Sequence, residues 1–301
     1  MNSKVKSSQP LVSIIISCYN HQDFIRSCIE SVVRQTYQNF ELIVFDDGSS
    51  DASPVILEEL SRQYGFYFQA HDNIGLSKTL NKALAMAKGK YVSPLGSDDM
   101  LMLDKLEKQV HYMEEHTDIA LLGGNILCID DKGTIRRQQK LTPYREVDFN
   151  TIMMNPKQGP AAPTMMLRTD ILRGIGGYNP DNNLEDLYLW LKITHSGHKI
   201  AILNDVLAYY RKHDYNTTRN YRFMTESILA IFQNYKDEAV YAAARNKILI
   251  SMFLKVSKKD RQYAWELLKQ ISPRFYNMKV IRGLVYWLLP RRKQQDAARQ
   301  K

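Results

Sequence analysis

The 301-residue sequence has little cysteine and no long apolar run, and both absences limit the classes of protein it can be. Its three cysteines, Cys18, Cys28 and Cys128, form neither a C-x-x-C motif nor a paired framework, so neither a zinc site nor disulfides are indicated. A reducing compartment is therefore expected. The N-terminal run LVSIIIS has seven residues, too few for a signal-peptide core or a membrane span. We expect a cytosolic protein.

Acidic residues are scarce at the C-terminal end, and this imbalance accounts for the net charge of +9. Residues 255–301 contain thirteen Lys and Arg residues against three acidic ones, so the other 254 residues sum to −1. Internal repeats and low-complexity segments are also absent. With 44% hydrophobic residues the chain can form a sizeable core, as one large α/β domain with an appendage or as two small domains.

The first 125 residues alternate between strand patterns and helix patterns. Apolar and β-branched runs indicate strands, and apolar residues at helical spacing lie between them. The predicted strands are 11–19, 40–47, 65–71, 90–95 and 119–124. Ser53-Pro54 marks the first turn of the second helix, and Gly89 is expected to cap the third. This order predicts an α/β fold with a mostly parallel sheet flanked by helices, and ligands beyond the carboxyl ends of its strands.

The pattern changes twice further along the chain. Between about 130 and 215, prolines and a glycine cluster interrupt it and predict long loops, which often hold binding groups. After about 217, apolar residues recur at helical spacing to the end of the chain. We therefore expect one domain at 1–216 and a basic helical extension at 217–301.

Paired acidic residues follow two of the predicted strands. Asp46-Asp47 end the second strand in DDGSSD, and Asp98-Asp99 follow the fourth in YVSPLGSDDM. The first pair, with its serines, can hydrogen-bond a base or a ribose, but the same residues also form ordinary turns. The second pair suits Mg²⁺ or Mn²⁺ shared with a diphosphate, or a cap on the next helix, and the two roles are compatible.

Two later stretches also carry chemical groups. Glu185-Asp186 begin an amphipathic segment, where acidic residues either serve chemistry or interact with the helix dipole. The stretch YYRKHDYNTT at 209–218 combines aromatic, cationic and histidine side chains. Taken singly, His213 is interpreted as a surface histidine or as one that supports a ligand.

Together these stretches resemble the family 2 glycosyltransferases, inverting enzymes with the Rossmann-like glycosyltransferase A-type fold. The resemblance runs from Val12 to about Thr217, some two-thirds of the chain. It rests on five segments in order: VSIIISCYNHQDFIRSCIESVVRQTYQNFELIVFDDGSSD, NIGLSKTLNKALAMAKGKYVSPLGSDD, GIGGYN, EDLYLWLKI and YYRKH. It implies that 1–125 is a nucleotide-binding half and 126–216 an acceptor-binding half.

The resemblance also implies roles for the matching residues around the donor. Tyr19 and its two predecessors border the nucleotide, Asp47 hydrogen-bonds the base, and Asp98 lies near the ribose or the sugar. The residues expected to bind the nucleotide are Ser17, Cys18, Tyr19, Asp47, Lys78 and Asp98.

The reacting centre is expected to contain two further acids. Asp99 would bind Mg²⁺ or Mn²⁺ on the diphosphate, as the only protein ligand, since positions 96 and 97 are Gly and Ser where the family often has an acid. Asp186 would be the general base. The residues expected to contact the acceptor or the diphosphate are Glu185, Arg211 and His213.

The implied activity is transfer of a sugar from a nucleoside diphosphate, of UDP or dTDP type, to a saccharide hydroxyl. The family builds bacterial surface polysaccharides such as O-antigen, capsule or lipopolysaccharide, which implies an acceptor linked to polyprenyl diphosphate. One alternative is a sugar-1-phosphate nucleotidyltransferase, although SCYNHQD stands where that class has a Gly-rich loop. Another is a non-catalytic adaptor that binds a membrane or nucleic acid.

The basic tail predicts a partner of its own. YNMKVIRGLVYWLLPRRKQ, within 275–301, has an apolar core that is too short and too charged to span a bilayer. It suits an interfacial helix on anionic lipid, or a helix packed on the catalytic domain with a solvated basic end. No nucleic-acid motif accompanies the charge. We expect a peripheral protein on the inner face of the cell membrane.

Overall fold

The apolar runs of the N-terminal part form the strands of a mixed sheet in the computed structural model, which describes residues 9–136, 141–213 and 220–289. Its strands are β1 Val12–Cys18, β2 Phe40–Asp47, β3 Tyr67–His71, β4 Tyr91–Gly96, β5 Met100–Leu101, β6 Ile119–Ile129, β7 Arg145–Val147, β8 Met166–Arg168 and β9 Lys199–Arg211. Its helices are α1 Ile25–Val33, α2 Ser53–Tyr64, α3 Leu76–Met86, α4 Lys105–Glu115, α5 Phe149–Met154, α6 Thr169–Gly174 and α7 Glu185–His195. The chain divides into two compact units, Met1–Asn216 and Thr217–Lys301.

The strand order within the described residues is β3-β2-β1-β4-β8-β6-β9-β5, with β7 beside β9. From β3 to β4 neighbouring strands are parallel, as predicted. Strand β8 is antiparallel to both of its neighbours, while β9 runs parallel to β6 and antiparallel to β5 and β7. The α/β prediction is confirmed. Antiparallel pairing involves β5, β7 and β8, and the last two lie between residues 130 and 215, where prolines and glycines interrupt the sequence pattern.

The core of this unit lies between the sheet and the helices. Ile14 and Ile16 of β1 are fully buried together with Ile25 and Ile29 of α1, the helix face that the apolar spacing predicts. Burial on both faces of β1 explains its continuous apolar run. Because β1 pairs in parallel with both β2 and β4, the carboxyl ends of these three strands lie side by side at one edge of the sheet.

Gly89 does not cap α3 as expected, because the helix ends at Met86 and Ala87 follows with extended ψ. Its actual role is a close approach to β1. A Cβ on Gly89 would lie 2.6 Å from the main-chain nitrogen of Ser13, and the Gly89 N–H donates to Ser13 Oγ at 2.8 Å. A glycine is required by space rather than by helix termination.

The second unit is helical, as predicted. Its helices are α8 Tyr221–Gln233, α9 Tyr241–Val256, α10 Arg261–Gln270 and α11 Met278–Leu288. Phe253, Leu267 and Val280 share its core, and Gly283 lets α11 approach the Phe253 ring, which a Cβ would meet at 2.3 Å. In the described ranges no helix has the length and apolar character needed to cross a bilayer. The Arg-Arg-Lys at 291–293 lies outside the described residues.

Candidate functional site

The acidic end of β4 is enclosed by the end of β9. Asp99 is 4% exposed, and its Oδ1 accepts a hydrogen bond from the Arg211 main-chain nitrogen at 2.8 Å. The main-chain oxygen of Asp98 accepts from Arg211 Nε at 2.8 Å. The side-chain Oδ2 of Asp98 lies 3.0 Å from Nε2 of His213. Four residues that were selected from two distant segments therefore form one cluster.

The charge environment of Asp99 links this cluster to α7. Burial raises the pKa of Asp99 well above its ordinary value, and the charge of Asp98 raises it further. The hydrogen bond from Arg211 opposes these effects, and the charge of Asp186 adds to them. The carboxyl group of Asp186 is therefore close enough to Asp99 for its charge to act on the Asp99 pKa.

Asp186 occupies the first turn of α7 with Glu185 before it. Burial raises the pKa of Asp186 well above its usual range, and the charge of Glu185 raises it again. Burial also raises the pKa of Glu185. Two adjacent carboxyl groups in one partly enclosed position are costly to ionise together. Such an arrangement holds a proton more readily than a free aspartate and is typical of functional sites.

The GIGGYN segment is anchored to α3. The main-chain nitrogen of Tyr178 donates to Asn81 Oδ1 at 2.9 Å, and Asn81 Nδ2 donates back to the Tyr178 oxygen at 2.6 Å. Gly177, with φ of +68°, passes so close that a Cβ would lie 2.6 Å from Asn81 Oδ1. The charges of Asp186 and Glu185 add to burial in raising the pKa of Tyr178. The motif therefore fixes a loop beside the two acids.

Asp47, at the end of β2, holds the loop that precedes α3. Its Oδ1 accepts from the main-chain nitrogen of Ile74 at 2.8 Å, and its Oδ2 accepts from Gly75 at 3.0 Å. The carboxylate is 3% exposed. Its neighbour Asp46 accepts from the nitrogen and hydroxyl of Ser49, which is the turn interpretation of DDGS. Asp46 therefore forms the turn, while Asp47 fixes the loop before α3 and its contact with a base stays a prediction.

The remaining candidates differ in exposure. Cys18 is fully buried, and burial raises the pKa of its thiol to about 12, whereas Tyr19 is exposed and Ser17 partly so. Lys78 is exposed in the first turn of α3. The Arg211 guanidinium is buried and donates to the main-chain oxygens of Asp130 and Asp131. Its geometry suits positioning of the acidic cluster. Of YYRKHDYNTT, positions 214–218 lie outside the described residues.

His21 is a site residue for which sequence reasoning had no signal. Its Nδ1 lies 2.7 Å from Ser97 Oγ, and its ring makes an edge contact with that of His213, with centroids 5.8 Å apart. Burial lowers the pKa of His21 and favours the neutral imidazole. A spacing of almost two hundred residues gives no indication that these two histidines meet.

The cluster can hold a divalent cation. His21, Asp98 and His213 each offer one ligand atom, and these atoms lie within 4.8 Å of one another. A Cβ on Gly96 would lie 3.0 Å from Asp98 Oδ1 and 3.2 Å from Asp99 Oδ2, so both carboxylates border the same small space. Imidazole nitrogen with carboxylate oxygen is a donor set that first-row divalent metals accept. The residues present therefore fit a divalent cation, although this group differs from the single ligand, Asp99, that the sequence predicts.

A cavity of about 820 Å³ opens beside this cluster. It is lined by residues that include Tyr19, His21, Phe24, Arg136, Lys212 and His213. The His213 ring stacks on Phe24, with centroids 5.3 Å apart. The site therefore combines an acidic cluster, two imidazoles and two exposed cations at the carboxyl ends of parallel strands.

Comparison with known proteins identifies the family. Residues 13–176, more than half of the chain, match the model of glycosyl transferase family 2. The chain belongs to this family. Its chemistry is therefore glycosyl transfer, which counts against the nucleotidyltransferase alternative.

Two curated relatives are about one-third identical to the chain over the residues that align. The putative teichuronic acid biosynthesis glycosyltransferase TuaG of Bacillus subtilis is 33% identical over 67% of this chain and 79% of its own. An Escherichia coli relative, the UDP-Glc:alpha-D-GlcNAc-diphosphoundecaprenol beta-1,3-glucosyltransferase WfaP, is 31% identical over 70% and 80%, respectively.

Solved structures confirm the glycosyltransferase A-type fold. Staphylococcus aureus TarS 1–349 in complex with UDP-GlcNAc superimposes with a TM-score of 0.66 at 22% identity, covering 87% of this chain and 82% of TarS. The mannosyltransferase PcManGT of Pyrobaculum calidifontis, in complex with GDP-Man and Mn²⁺, gives 0.60 at 16% identity, covering 94% and 88%. At these identities the likeness establishes the fold alone.

Proposed function

We propose that this family 2 glycosyltransferase transfers a sugar with inversion from a nucleoside-diphosphate donor to a saccharide hydroxyl, in the synthesis of a bacterial surface polysaccharide. The observation that carries the proposal is the cluster that Asp98 and Asp99 form with the end of β9, where the charge of Asp186 also acts. A base and a diphosphate-binding group must face one anomeric carbon for a single displacement. In this proposal Asp186 on α7 supplies the base, and Asp99 at the end of β4 supplies the diphosphate-binding group.

The donor nucleotide lies across the carboxyl ends of β1, β2 and β4 in this proposal. Tyr19 is exposed there and can contact the nucleotide, while Asp47 can accept a further hydrogen bond from the base. Asp98 faces the ribose or the sugar. TarS, which shares the fold, is described with UDP-GlcNAc and with UDP, which supports a uridine or similar pyrimidine donor.

Asp99 would hold the Mg²⁺ or Mn²⁺ ion in the proposed reaction, and Asp98, which also faces the ribose or the sugar, would share it. When bound, such an ion neutralises the charge that develops on the leaving diphosphate. Arg211 keeps the Asp99 carboxylate in place through its main-chain N–H and fixes the backbone of Asp98 through Nε.

Asp186 takes the proton of the acceptor hydroxyl. As the hydroxyl oxygen bonds to the anomeric carbon, the bond from that carbon to the diphosphate breaks and its electron pair leaves with the nucleotide. The raised pKa of Asp186 makes it a stronger base than an exposed aspartate, provided that it is ionised at the working pH. General-base assistance of this kind contributes about 10²–10⁴-fold to the rate. Attack from the face opposite the leaving group inverts the anomeric centre.

The acceptor is proposed to be a saccharide linked to polyprenyl diphosphate. WfaP carries such a lipid, diphosphoundecaprenol, in its name. The second unit supports location at a membrane, because α11 exposes Met278, Ile281, Val285 and Leu288 on one side. Residues 220–289 contain twelve Lys and Arg residues against five acidic ones. An apolar stripe in a cationic unit suits the inner, anionic face of the cell membrane.

A donor and product assay tests the function. The purified protein is incubated with UDP- and dTDP-sugars, Mn²⁺ and a synthetic GlcNAc-diphosphate-lipid acceptor, and the released nucleotide and the product are measured. We expect nucleotide release with at least one donor, and an anomeric configuration opposite to that of the donor by NMR. A retained configuration would exclude the single displacement. Absence of release across the donor panel would exclude the nucleotide-sugar reaction.

A further inference from the structure

His21 is held in a fixed position at the edge of the cavity. The preceding Asn20 has a φ of +54°, and its side-chain oxygen accepts from the Ser50 nitrogen at 2.8 Å, which anchors this left-handed turn to the β2 end. The main-chain nitrogen of His21 donates to Ser53 Oγ at 3.0 Å. A backbone pinned at two adjacent residues leaves the imidazole little freedom to move, as an organised ligand requires.

The His21 ring is also oriented by its contact with Ser97. With Nδ1 hydrogen-bonded to Ser97 Oγ at 2.7 Å, the proton can reside on Nδ1 and leave the Nε2 lone pair for another partner. Fixing one ring nitrogen in this way is how proteins usually prepare a metal-binding histidine. Ser97 stands directly before the acidic pair, so this contact joins the β1 loop to the end of β4.

His213 approaches the same point from the end of β9. Its Nε2 lies 3.0 Å from Asp98 Oδ2, and its ring stacks on Phe24. Together with His21, these residues present two imidazoles and a carboxylate with ligand atoms within 4.8 Å. The sequence indicated oxygen ligands only, whereas the folded cluster adds nitrogen.

We propose that the imidazole of His21 is a further ligand of the cation assigned to Asp99, together with Asp98 and His213, and that Mn²⁺ affinity depends on it more than Mg²⁺ affinity does. Mg²⁺ requires a near-ideal octahedral shell of oxygen atoms and gives up water reluctantly. Imidazole nitrogen suits the first-row transition metals instead. The proposal deepens the function proposed above, because it concerns the cation of that reaction, but its test needs neither donor nor acceptor.

Metal binding to the full-length protein tests this assignment. Mn²⁺ and Mg²⁺ affinities are measured by isothermal titration calorimetry for the wild type, His21→Gln and the matched control His111→Gln, which alters an exposed histidine on α4. We expect the wild type and the control to prefer Mn²⁺. The His21→Gln variant should lose at least the roughly 10–100-fold in Mn²⁺ affinity that altered support of a ligand costs. Its Mg²⁺ affinity should change little.

Pulsed EPR on bound Mn²⁺ separates ligation from a structural effect. The wild type should show coupling to two imidazole nitrogens, and His21→Gln to one. Equal Mn²⁺ affinity in wild type and His21→Gln, or an unchanged number of coupled nitrogens, would overturn the assignment. If the protein lacks transferase activity but its Mn²⁺ affinity depends on His21 as expected, the proposed function is wrong and the assignment of the metal site stands.

Discussion

The main-chain nitrogen of Arg211 donates a 2.8 Å hydrogen bond to Oδ1 of Asp99, and Nε of the same arginine donates to the main-chain oxygen of Asp98. The last residue of β9 therefore holds both acidic residues that follow β4, although more than a hundred positions separate them. The guanidinium itself continues to the carbonyls of Asp130 and Asp131. The positive charge of Arg211 lies near Asp99 and favours its ionised form. His21 and His213 line the cavity beside the cluster, and Asp98 lies with them.

Asp99→Asn separates the charge of this residue from its structural contact. The amide oxygen can still accept from the Arg211 nitrogen, so the fold should be retained. Loss of the charge should weaken Mn²⁺-dependent UDP binding by at least ~10-fold, the value of one charged contact. Calorimetry with and without EDTA measures this effect, with Asp118→Asn, an exposed aspartate, as control. Equal Mn²⁺-dependent binding in Asp99→Asn and wild type would remove Asp99 from the cation site.

Asp186→Asn should block turnover while leaving the donor site intact. Without a carboxylate to accept the hydroxyl proton, kcat should fall by about 10²–10⁴-fold. Because burial raises the pKa of Asp186, its ionised form is destabilised in the folded protein, so the Asn variant should also melt at a higher temperature at pH 7. Kinetics, UDP affinity and thermal melting are measured together. Full activity in the Asn variant would exclude Asp186 as the base.

Glu185→Gln should shift the acid side of the pH–rate profile. The charge of Glu185 raises the pKa of Asp186, so its removal lowers that pKa. Asp186 then stays ionised to lower pH, so the rise of kcat with pH should begin at a lower pH in the variant than in the wild type. Glu115→Gln, which alters an exposed residue of α4, should leave the profile unchanged. A profile in Glu185→Gln that is unmoved, or moved to higher pH, would contradict the coupling.

Local patterns predict the parallel half of the sheet well. The β-branched runs that become β1 and β2, and the carboxylates at their ends, follow directly from burial on both faces and from the topology of parallel strands. Asp47 and Asp99 were assigned to strand ends for this reason, and both occupy them. A different local pattern, two acidic residues before an amphipathic stretch, predicts that Asp186 lies in the first turn of a helix, as it does.

Local sequence patterns do not predict contacts between distant segments of the chain. Nothing in the three-residue run Met166–Arg168 indicates a strand inserted between β4 and β6. Likewise His21 and His213 meet only because β1 and β9 end at one edge of the sheet, and hydrophobic spacing carries no information on that pairing. A glycine after a helical apolar spacing predicts a cap at Gly89. Its close approach to Ser13 is a tertiary contact, which the local pattern does not contain.

Lys105→Met should stabilise the protein most at and below neutral pH. Lys105 is fully buried, with Nζ 2.7 Å from Ser93 Oγ, and burial lowers its pKa to about 7. Between about pH 7 and the ordinary lysine pKa of ~10.4, the unfolded chain binds one more proton, so the wild type gains stability as pH rises. Removal of the amine should therefore raise Tm at pH 7 and flatten this dependence.

Thermal melting between pH 6 and 10 measures the effect of Lys105→Met. Lys88→Met, which alters an exposed lysine, should reproduce the wild-type pH dependence. A loss of stability in Lys105→Met at every pH would show that the hydrogen bond to Ser93 outweighs the cost of burying the amine.

The exposed stripe of α11 predicts binding to anionic lipid. Truncation of the tail is a poor test, because Val280 and Gly283 belong to the core of the second unit. Ile281→Asp and Val285→Asp instead alter half-exposed side chains and should leave that core intact. An apolar side chain that is fully buried contributes about 1.5–3 kcal/mol, so each variant should reduce partitioning into phosphatidylglycerol vesicles by roughly 10-fold.

Sedimentation with these vesicles and with phosphatidylcholine vesicles measures the partitioning of each variant, with Val55→Asp, which alters an exposed valine on α2, as control. Equal sedimentation of the control and the α11 variants would assign this face of the helix to another partner, whereas vesicle binding by the control but not by the α11 variants would show that the exposed side of α11 contacts anionic lipid.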